Sequence, residues 1–137
     1  KIKLFSWLYN TSASNNELSK FFSREIFRDF YNRENSTLKT PFGRSLQVDE
    51  RKAQNYLLQS TTSDIVVENT FKILNLLRER KSQIAFTLHD SVVIDLDLED
   101  LHLLKTIKNV FESTRWGNFK SNVKIGKNFG NMKEFEI

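Results

Sequence analysis

The chain contains no cysteine, a single proline (Pro41) and only four glycines in 137 residues. Without cysteine it can form neither a disulfide nor a thiolate metal site, a composition that suits a reducing compartment. It has no run of the roughly 18 apolar residues that a membrane-spanning helix needs, and its opening residues lack the basic and apolar regions of a secretory leader. The expectation is an intracellular protein with no membrane partner. Histidine is scarce as well: His89 and His102 are the only two, too few for a histidine-rich metal phosphohydrolase. Neither a phosphate-cradling Gly-Lys-Ser/Thr loop nor a Gly-x-Ser-x-Gly elbow occurs.

What the chain does have is 39% hydrophobic and 28% charged residues, enough for one modest core in a soluble domain or subdomain. Residues 1–60 carry ten Lys/Arg against six Asp/Glu, whereas residues 61–137 carry eleven of each. Asp90, Asp95, Asp97, Glu99 and Asp100 lie close together in sequence and read as an acidic, metal-attracting cluster. A basic surface facing such a spot suits a polyanion, although a solvated mixed surface explains the same counts.

The most informative stretch is Ile84-Ala85-Phe86-Thr87-Leu88-His89-Asp90-Ser91-Val92-Val93-Ile94-Asp95-Leu96. Two apolar runs rich in β-branched residues flank a polar pair, which predicts a hairpin with His89-Asp90 at its tip. A two-residue hairpin turn favours Asn-Gly or Asp-Gly, because the central positions call for positive φ. His-Asp does not supply that freedom, so the pair reads as kept for chemistry. Taken alone, Asp90 could equally be an ordinary turn former.

In chain order, Lys1, Phe5 and Tyr9 recur every fourth residue on one helical face. They read either as a core-facing aromatic stripe with a snorkelling lysine or as contacts for phosphate, sugar and base. Ser14-Asn15-Asn16-Glu17 has capping-box form ahead of Leu18, Phe22, Ile26 and Phe30 at helical spacing, and Asn32–Ser36 reads as a loop. Thr40-Pro41-Phe42-Gly43-Arg44 predicts a turn into a short strand at 45–48, with Arg44 either solvated or placed to neutralise a phosphate. Residues 50 to about 80 predict the longest helix, with Val67, Phe71, Leu74 and Leu77 as its apolar stripe. Near its start Arg51, Asn55 and Gln59 form a polar row that is either a solvated face or a reader of minor-groove acceptors. Asp97 and Asp100 are placed to start a helix through Leu101, Leu104, Ile107 and Phe111, with His102 structural, before a last strand at 121–125. The fold class expected is α+β, a small antiparallel sheet with the hairpin packed on the long helix.

These stretches together carry a resemblance. Lys1-Ile2-Lys3-Leu4-Phe5-Ser6-Trp7-Leu8-Tyr9-Asn10 resembles the Lys-x-x-x-Phe-Gly-x-x-Tyr-Gly core of the fingers helix of family A DNA polymerases, the group of bacterial DNA polymerase I. The run from Glu50 to Ile65 resembles that family's Glu-Arg-x-Ala-x-Asn-x-Pro-Ile-Gln-Gly-Thr-Ala-Ala-Asp-Ile, with Glu50, Arg51, Ala53, Asn55, Gln59, Thr61, Asp64 and Ile65 in place. Leu88-His89-Asp90-Ser91 is similar to its Val-His-Asp-Glu, and Gly126-Lys127-Asn128-Phe129 to its C-terminal Gly-x-Asn-Trp. The four motifs come in the family's order and span nearly the whole chain.

The resemblance implies template-directed DNA synthesis on a primer–template with deoxynucleoside triphosphates, and division into a fingers part, 1–40, and the C-terminal part of the palm, 41–137. Lys1 would contact the triphosphate, Phe5 the sugar and Tyr9 the templating base. Arg51, Asn55 and Gln59 would follow the primer–template minor groove, with Arg44 near the DNA, and His89 would approach the primer end. Asp90 would be a ligand of the two catalytic Mg²⁺ ions. The family's other metal carboxylate precedes the fingers helix, so the chain is expected to be a piece of a longer polymerase and inactive without its N-terminal part.

The departures bear on the reading. Ser91 stands where the family has Glu, Ser6, Asn10 and Ser60 where it has Gly, and Leu57 where it has Pro. His-Asp-Ser is also the pattern of single-subunit RNA polymerases, so a ribonucleotide-using relative is one alternative, and a DNA-binding remnant without activity is another. Abundant Lys, Asn, Ile and Phe suit an AT-rich genome such as that of a phage.

Overall fold

A computed structural model describes residues 25–137, so Lys1, Phe5, Tyr9 and the Ser14–Glu17 box lie outside the described residues. The chain is α+β, as expected, with short antiparallel sheets set around helices. It divides into two units between Asp64 and Ile65.

In the first unit a helical turn, Glu25–Arg28, leads to a three-stranded meander of β1 (Tyr31–Asn32), β2 (Thr37–Lys39) and β3 (Ser45–Gln47). Side-chain amides make the first turn: Asn32 Oδ1 accepts from the Glu34 amide at 2.9 Å, and Asn35 Oδ1 accepts from the Thr37 amide at 3.2 Å. The second is the expected Thr40–Arg44 turn. Pro41 presets φ after Thr40, and Gly43, at φ 85°, takes the left-handed position while its N–H donates to the Thr40 carbonyl at 2.9 Å.

The long helix, Glu50–Leu76, starts where Asp49 Oδ1 accepts from the Arg51 amide at 2.9 Å, an N-cap bond. Ala53 and Leu57, four apart on one face, close onto Leu38 and Val48, with Phe27, Phe30, Tyr31 and Leu46 around them. Leu57 is thus a core residue of an unbroken helix.

The second unit is built on the last part of this helix. Ile73 and Leu77 form its core with Ile107, and Ile84, Val92, Ile94 and Leu103 pack against them. Here the expected stripe is corrected. Of Val67, Phe71, Leu74 and Leu77 only Leu77 is buried, while Phe71 is 61% exposed. The buried face is Val66, Asn69, Ile73 and Leu77, about one residue out of phase.

The reason is polar. Asn69, 1% exposed, donates through Nδ2 to the carbonyls of Phe111 (2.8 Å) and Ser113 (3.1 Å) and accepts from Lys72 Nζ at 2.8 Å. It satisfies carbonyls at the end of the later helix Leu104–Glu112, so a buried amide fixes which face turns inward.

The hairpin comprises β4 (Gln83–Leu88) and β5 (Ser91–Asp95). A 3₁₀ helix, Leu98–Leu103, then runs into Leu104–Glu112, with Asp97 as N-cap through the Glu99 amide at 2.9 Å. Two small hairpins finish the chain: β6 (Ser113–Thr114) with β7 (Gly117–Asn118), and β8 (Val123–Ile125) with β9 (Lys133–Phe135).

The helix phase is directly testable by urea unfolding. Ile73→Ala is expected to cost about 2–4 kcal/mol through cavity formation, and Phe71→Ser no more than about 0.5 kcal/mol. The reverse order would restore the sequence-based stripe.

Candidate functional site

The hairpin tip is the best-defined candidate site. Leu88 pairs with Ser91, leaving His89 and Asp90 as a two-residue loop. His89 takes φ 52°, so the left-handed conformation the turn needs falls on a residue with a Cβ. That strain stays because neighbours over-determine the turn: five cross-strand pairs run beneath it, and the Ser91 hydroxyl donates to the Leu88 carbonyl at 2.7 Å. Ser91 therefore has a local role as the latch of the turn. The side chain of Asp90 is exposed and has no hydrogen-bond or ion-pair partner among the described residues, leaving both oxygens available.

A bulge sets which way the strands face. Ile84 pairs with Ile94, but Phe86 pairs with Val93, so Ala85 is the extra residue. Ile84, Val92 and Ile94 then point to the core, while Phe86 and Leu88 turn to the other face, 45% and 42% exposed. Strict alternation would have put Ile84, Phe86 and Leu88 together. On that outer face the Phe86 ring meets the Phe129 ring edge-on, with centroids 5.6 Å apart. The structure thus joins two of the sequence motifs, the His-Asp hairpin and Gly126–Phe129.

Gly126 has its own reason to be glycine. A Cβ there would lie 2.6 Å from the Asn131 carbonyl oxygen and 2.9 Å from Met132 Cα, both backbone atoms.

The base of the hairpin is clamped by a buried network that sequence reasoning missed. Asp100, 4% exposed, accepts through Oδ2 from the Ser82 amide (2.9 Å) and the Ser82 hydroxyl (2.8 Å). The Ser82 oxygen accepts in turn from the Asp97 amide at 2.9 Å. Ser82 enters β4 and Asp97 leaves β5, so one carboxylate holds both ends. The only sequence signal was a Ser-x₁₇-Asp pair bracketing the hairpin, and nothing in the spacing singles it out.

Three acids of the expected cluster are engaged within the fold, while Asp90 and Asp95 have no side-chain partner among the described residues. Asp97 caps a helix, Glu99 bridges Lys81 at 2.6 Å, and Asp100 is spent on Ser82. Among the described residues no group of three His, Cys, Asp or Glu could hold a metal ion. Asp90 fits the role of one ligand, but the described residues do not complete a magnesium site. His102 is exposed, with Nδ1 2.9 Å from the Glu99 carbonyl.

In the first unit the polar row is as expected: Arg51 and Gln59 are exposed and Asn55 half-buried on successive turns, with Gln59 Nε2 3.5 Å from Asn55 Oδ1. A shallow depression beside it is lined by Asp49, Arg51, Lys52, Asn55 and Tyr56. Arg44 is already engaged: its Nη2 lies 3.2 Å from Asp64 Oδ1 and 3.3 Å from the Ser60 carbonyl, tying the Pro41 turn to the long helix. Lys1, Phe5 and Tyr9 lie outside the described residues.

No family model, curated protein or solved structure matches the chain.

Three carboxyls are held below their usual range. For Asp100 the cause is first the Ser82 backbone N–H, then its hydroxyl. For Glu112 it is the Ser121 backbone N–H, acting against burial. For Glu68 burial works the other way, but the hydrogen bond and charge of Arg115, with Lys72, outweigh it.

Groups with depressed folded pKa stabilise above their unfolded values and lose that contribution as pH falls through the folded ones. Thermal melts should therefore be flat near neutrality and fall below about pH 4.5, the ordinary Glu value, continuing below the Asp value of 3.8. Asp100→Asn should lower Tm at pH 7 and make the acid limb shallower; an unchanged limb would remove Asp100 from the clamp.

A second prediction concerns strain at the tip. In His89→Gly, relief of about 1–2 kcal/mol of left-handed strain outweighs roughly 0.5–1 kcal/mol of added chain entropy, so urea melts should show equal or higher stability. Clear destabilisation would mean that the His89 side chain supports the fold.

Proposed function

We propose that this chain is the C-terminal part of a template-directed DNA polymerase resembling family A, and that it acts in nucleotidyl transfer only together with an upstream part. The observation that carries the reading is the tip of the β4–β5 hairpin. An unengaged Asp90 carboxylate is presented there beside a strained His89, and the ring of Phe129, from another of the family-like motifs, packs on the same hairpin. Strain held at an exposed polar turn is more economically explained by a task for those side chains than by turn formation.

In this reading Asp90 provides one carboxylate for Mg²⁺, and the remaining ligands come from the upstream part. Magnesium, when bound, supplies activation of the primer 3′-hydroxyl and neutralisation of the departing pyrophosphate. The chain's own residues position and hold. The clamp at Ser82 and Asp100 and the apolar underside of the hairpin keep Asp90 on a fixed support, and His89 stands next to it toward the primer end.

Arg51, Asn55 and Gln59 act as donors to minor-groove acceptors that every base pair shares, which suits an enzyme indifferent to sequence. Eight residues of helix rise about 12 Å, the length of roughly three to four stacked base pairs. Arg44, tied to Asp64, contributes by supporting that helix. Lys1, Phe5 and Tyr9 take the triphosphate, sugar and templating base. The ribonucleotide alternative rested on Ser91, and the bond from Ser91 to Leu88 gives that serine a reason unrelated to sugar choice.

The test is primer extension with Mg²⁺ by the chain alone and by the chain joined to its upstream coding region. Extension with deoxynucleotides by the joined form only, reduced at least about a hundredfold by Asp90→Ala, is expected. Loss of one neutral hydrogen bond in Asn55→Ala or Gln59→Ala should raise the KM for primer–template roughly three- to tenfold with little change in kcat. Failure of the joined form with deoxy- and ribonucleotides alike would sink the proposal.

A further inference from the structure

The charge of the chain is more localised than its two halves suggest. Between Arg115 and Lys133 there are five Lys/Arg and no Asp or Glu, while the rest of the chain carries sixteen Lys/Arg against seventeen acids. The whole net positive charge therefore belongs to this one segment, which also holds Trp116, Phe119 and Phe129. All three rings are close to half exposed or more: 47%, 58% and 56%. Lys120, Lys124, Lys127 and Lys133 are exposed, and none makes a salt bridge among the described residues, although Lys124 stands opposite Glu134 in the β8–β9 register.

The backbone carrying Trp116 and Phe119 is firmly held. Trp116 sits in the two-residue turn between β6 and β7, where the Trp116 amide donates to Thr114 Oγ1 at 3.1 Å and that hydroxyl donates to the Gly117 carbonyl at 2.8 Å. The Phe119 amide donates to the Glu112 carbonyl at 2.9 Å, and the Ser121 amide donates to Glu112 Oε1 at 2.7 Å. Lys120 is fixed between those two anchors. The Trp116 ring is oriented as well: the Arg115 guanidinium lies 5.4 Å from its centroid while bonding Glu68 Oε2 at 2.9 Å.

We propose that the Arg115–Lys133 segment is a contact surface for an unpaired DNA strand, on which Trp116 and Phe119 stack against bases and Lys120 and Lys124 take the flanking phosphates. An ordered, half-exposed ring loses little conformational freedom on binding, and a base can stack on it only when unpaired. Interleaved lysines that form no salt bridge among the described residues supply the attraction for a phosphodiester chain, with Glu134 across from Lys124 and Glu112 occupied by the Ser121 amide. An acidic protein would satisfy the lysines but would offer nothing to stack on the exposed ring of Phe119. The choice of DNA as the strand rests on the polymerase reading; the surface itself uses neither Asp90 nor the Arg51 row.

The test reads binding, not synthesis, so its failure is separable from failure of the polymerase proposal. In the full chain carrying Trp7→Phe, Trp116 is the sole tryptophan and its fluorescence reports the surface. Titration with an oligo-dT of about twelve nucleotides, within the roughly 4–16 that such a platform covers, should quench it, with affinity falling steeply as salt rises. The paired variant Lys120→Glu/Lys124→Glu should weaken binding and reduce the salt slope by about 1.4, roughly 0.7 for each lost phosphate contact on a single strand. Trp116→Ala, followed by anisotropy of labelled oligo-dT, should weaken binding about tenfold, and Trp116→Phe should restore most of the loss. Three results would overturn the proposal: no quenching, equal affinity for a blunt duplex or for polyglutamate, or full affinity in folded Trp116→Ala.

Discussion

The hairpin is held by one buried carboxylate. Asp100 accepts both the amide and the hydroxyl of Ser82, and Ser82 passes the constraint to the amide of Asp97, so the first residue before β4 and the second after β5 share a single anchor. A two-stranded sheet is marginal by itself, and this one gains its footing from that anchor and from Ile84, Val92 and Ile94 packed on Ile73, Leu77 and Ile107. With the base fixed, the tip can carry a strained His89 and a solvent-facing Asp90 without slipping in register. Low Asp100 pKa, bulge and strained turn are parts of one device that fixes where a carboxylate stands.

The same constraint divides the acidic residues into two kinds. Asp97, Glu99 and Asp100 neutralise backbone donors and a lysine, and their removal acts on folding. Asp90 has no such internal partner among the described residues, and neither has Asp95 at the far end of β5; what sets Asp90 apart is its place at the hairpin tip beside His89. Clustering in sequence is therefore a poor guide to a metal site: proximity along the chain brought together a helix cap, a surface ion pair and a buried clamp.

The sequence made legible the features that depend on local chemistry. The hairpin and its tip, the turn at Pro41-Phe42-Gly43, the long helix from Glu50 and the cap at Asp97 all follow from periodicity, turn residues and capping. The features decided by long-range partners were hidden. The inward face of the long helix is set by Asn69 reaching carbonyls more than forty residues away, which hydrophobic periodicity cannot register. The bulge at Ala85 reverses the faces of Phe86 and Leu88, and no residue type announces it. Strands of two or three residues, such as β1, β6 and β7, are too short to show alternation. Of the candidate site, the His89-Asp90 tip and the Arg51 row were readable, whereas the clamp beneath the tip and the pairing of Arg44 with Asp64 were not.

Asp90 is proposed to serve chemistry, and Asp97, Glu99 and Asp100 serve structure. Stability and nucleotide incorporation, measured on the same preparations of Asp90→Ala and Asp100→Ala, each in the chain joined to its proposed upstream part, separate the two roles. Asp90→Ala is expected to melt like the parent but to incorporate at least about a hundredfold less. Asp100→Ala should melt earlier, with activity at low temperature reduced only as far as its folded fraction. An Asp90→Ala protein that unfolds as readily as Asp100→Ala, or that remains active, would contradict this division of roles.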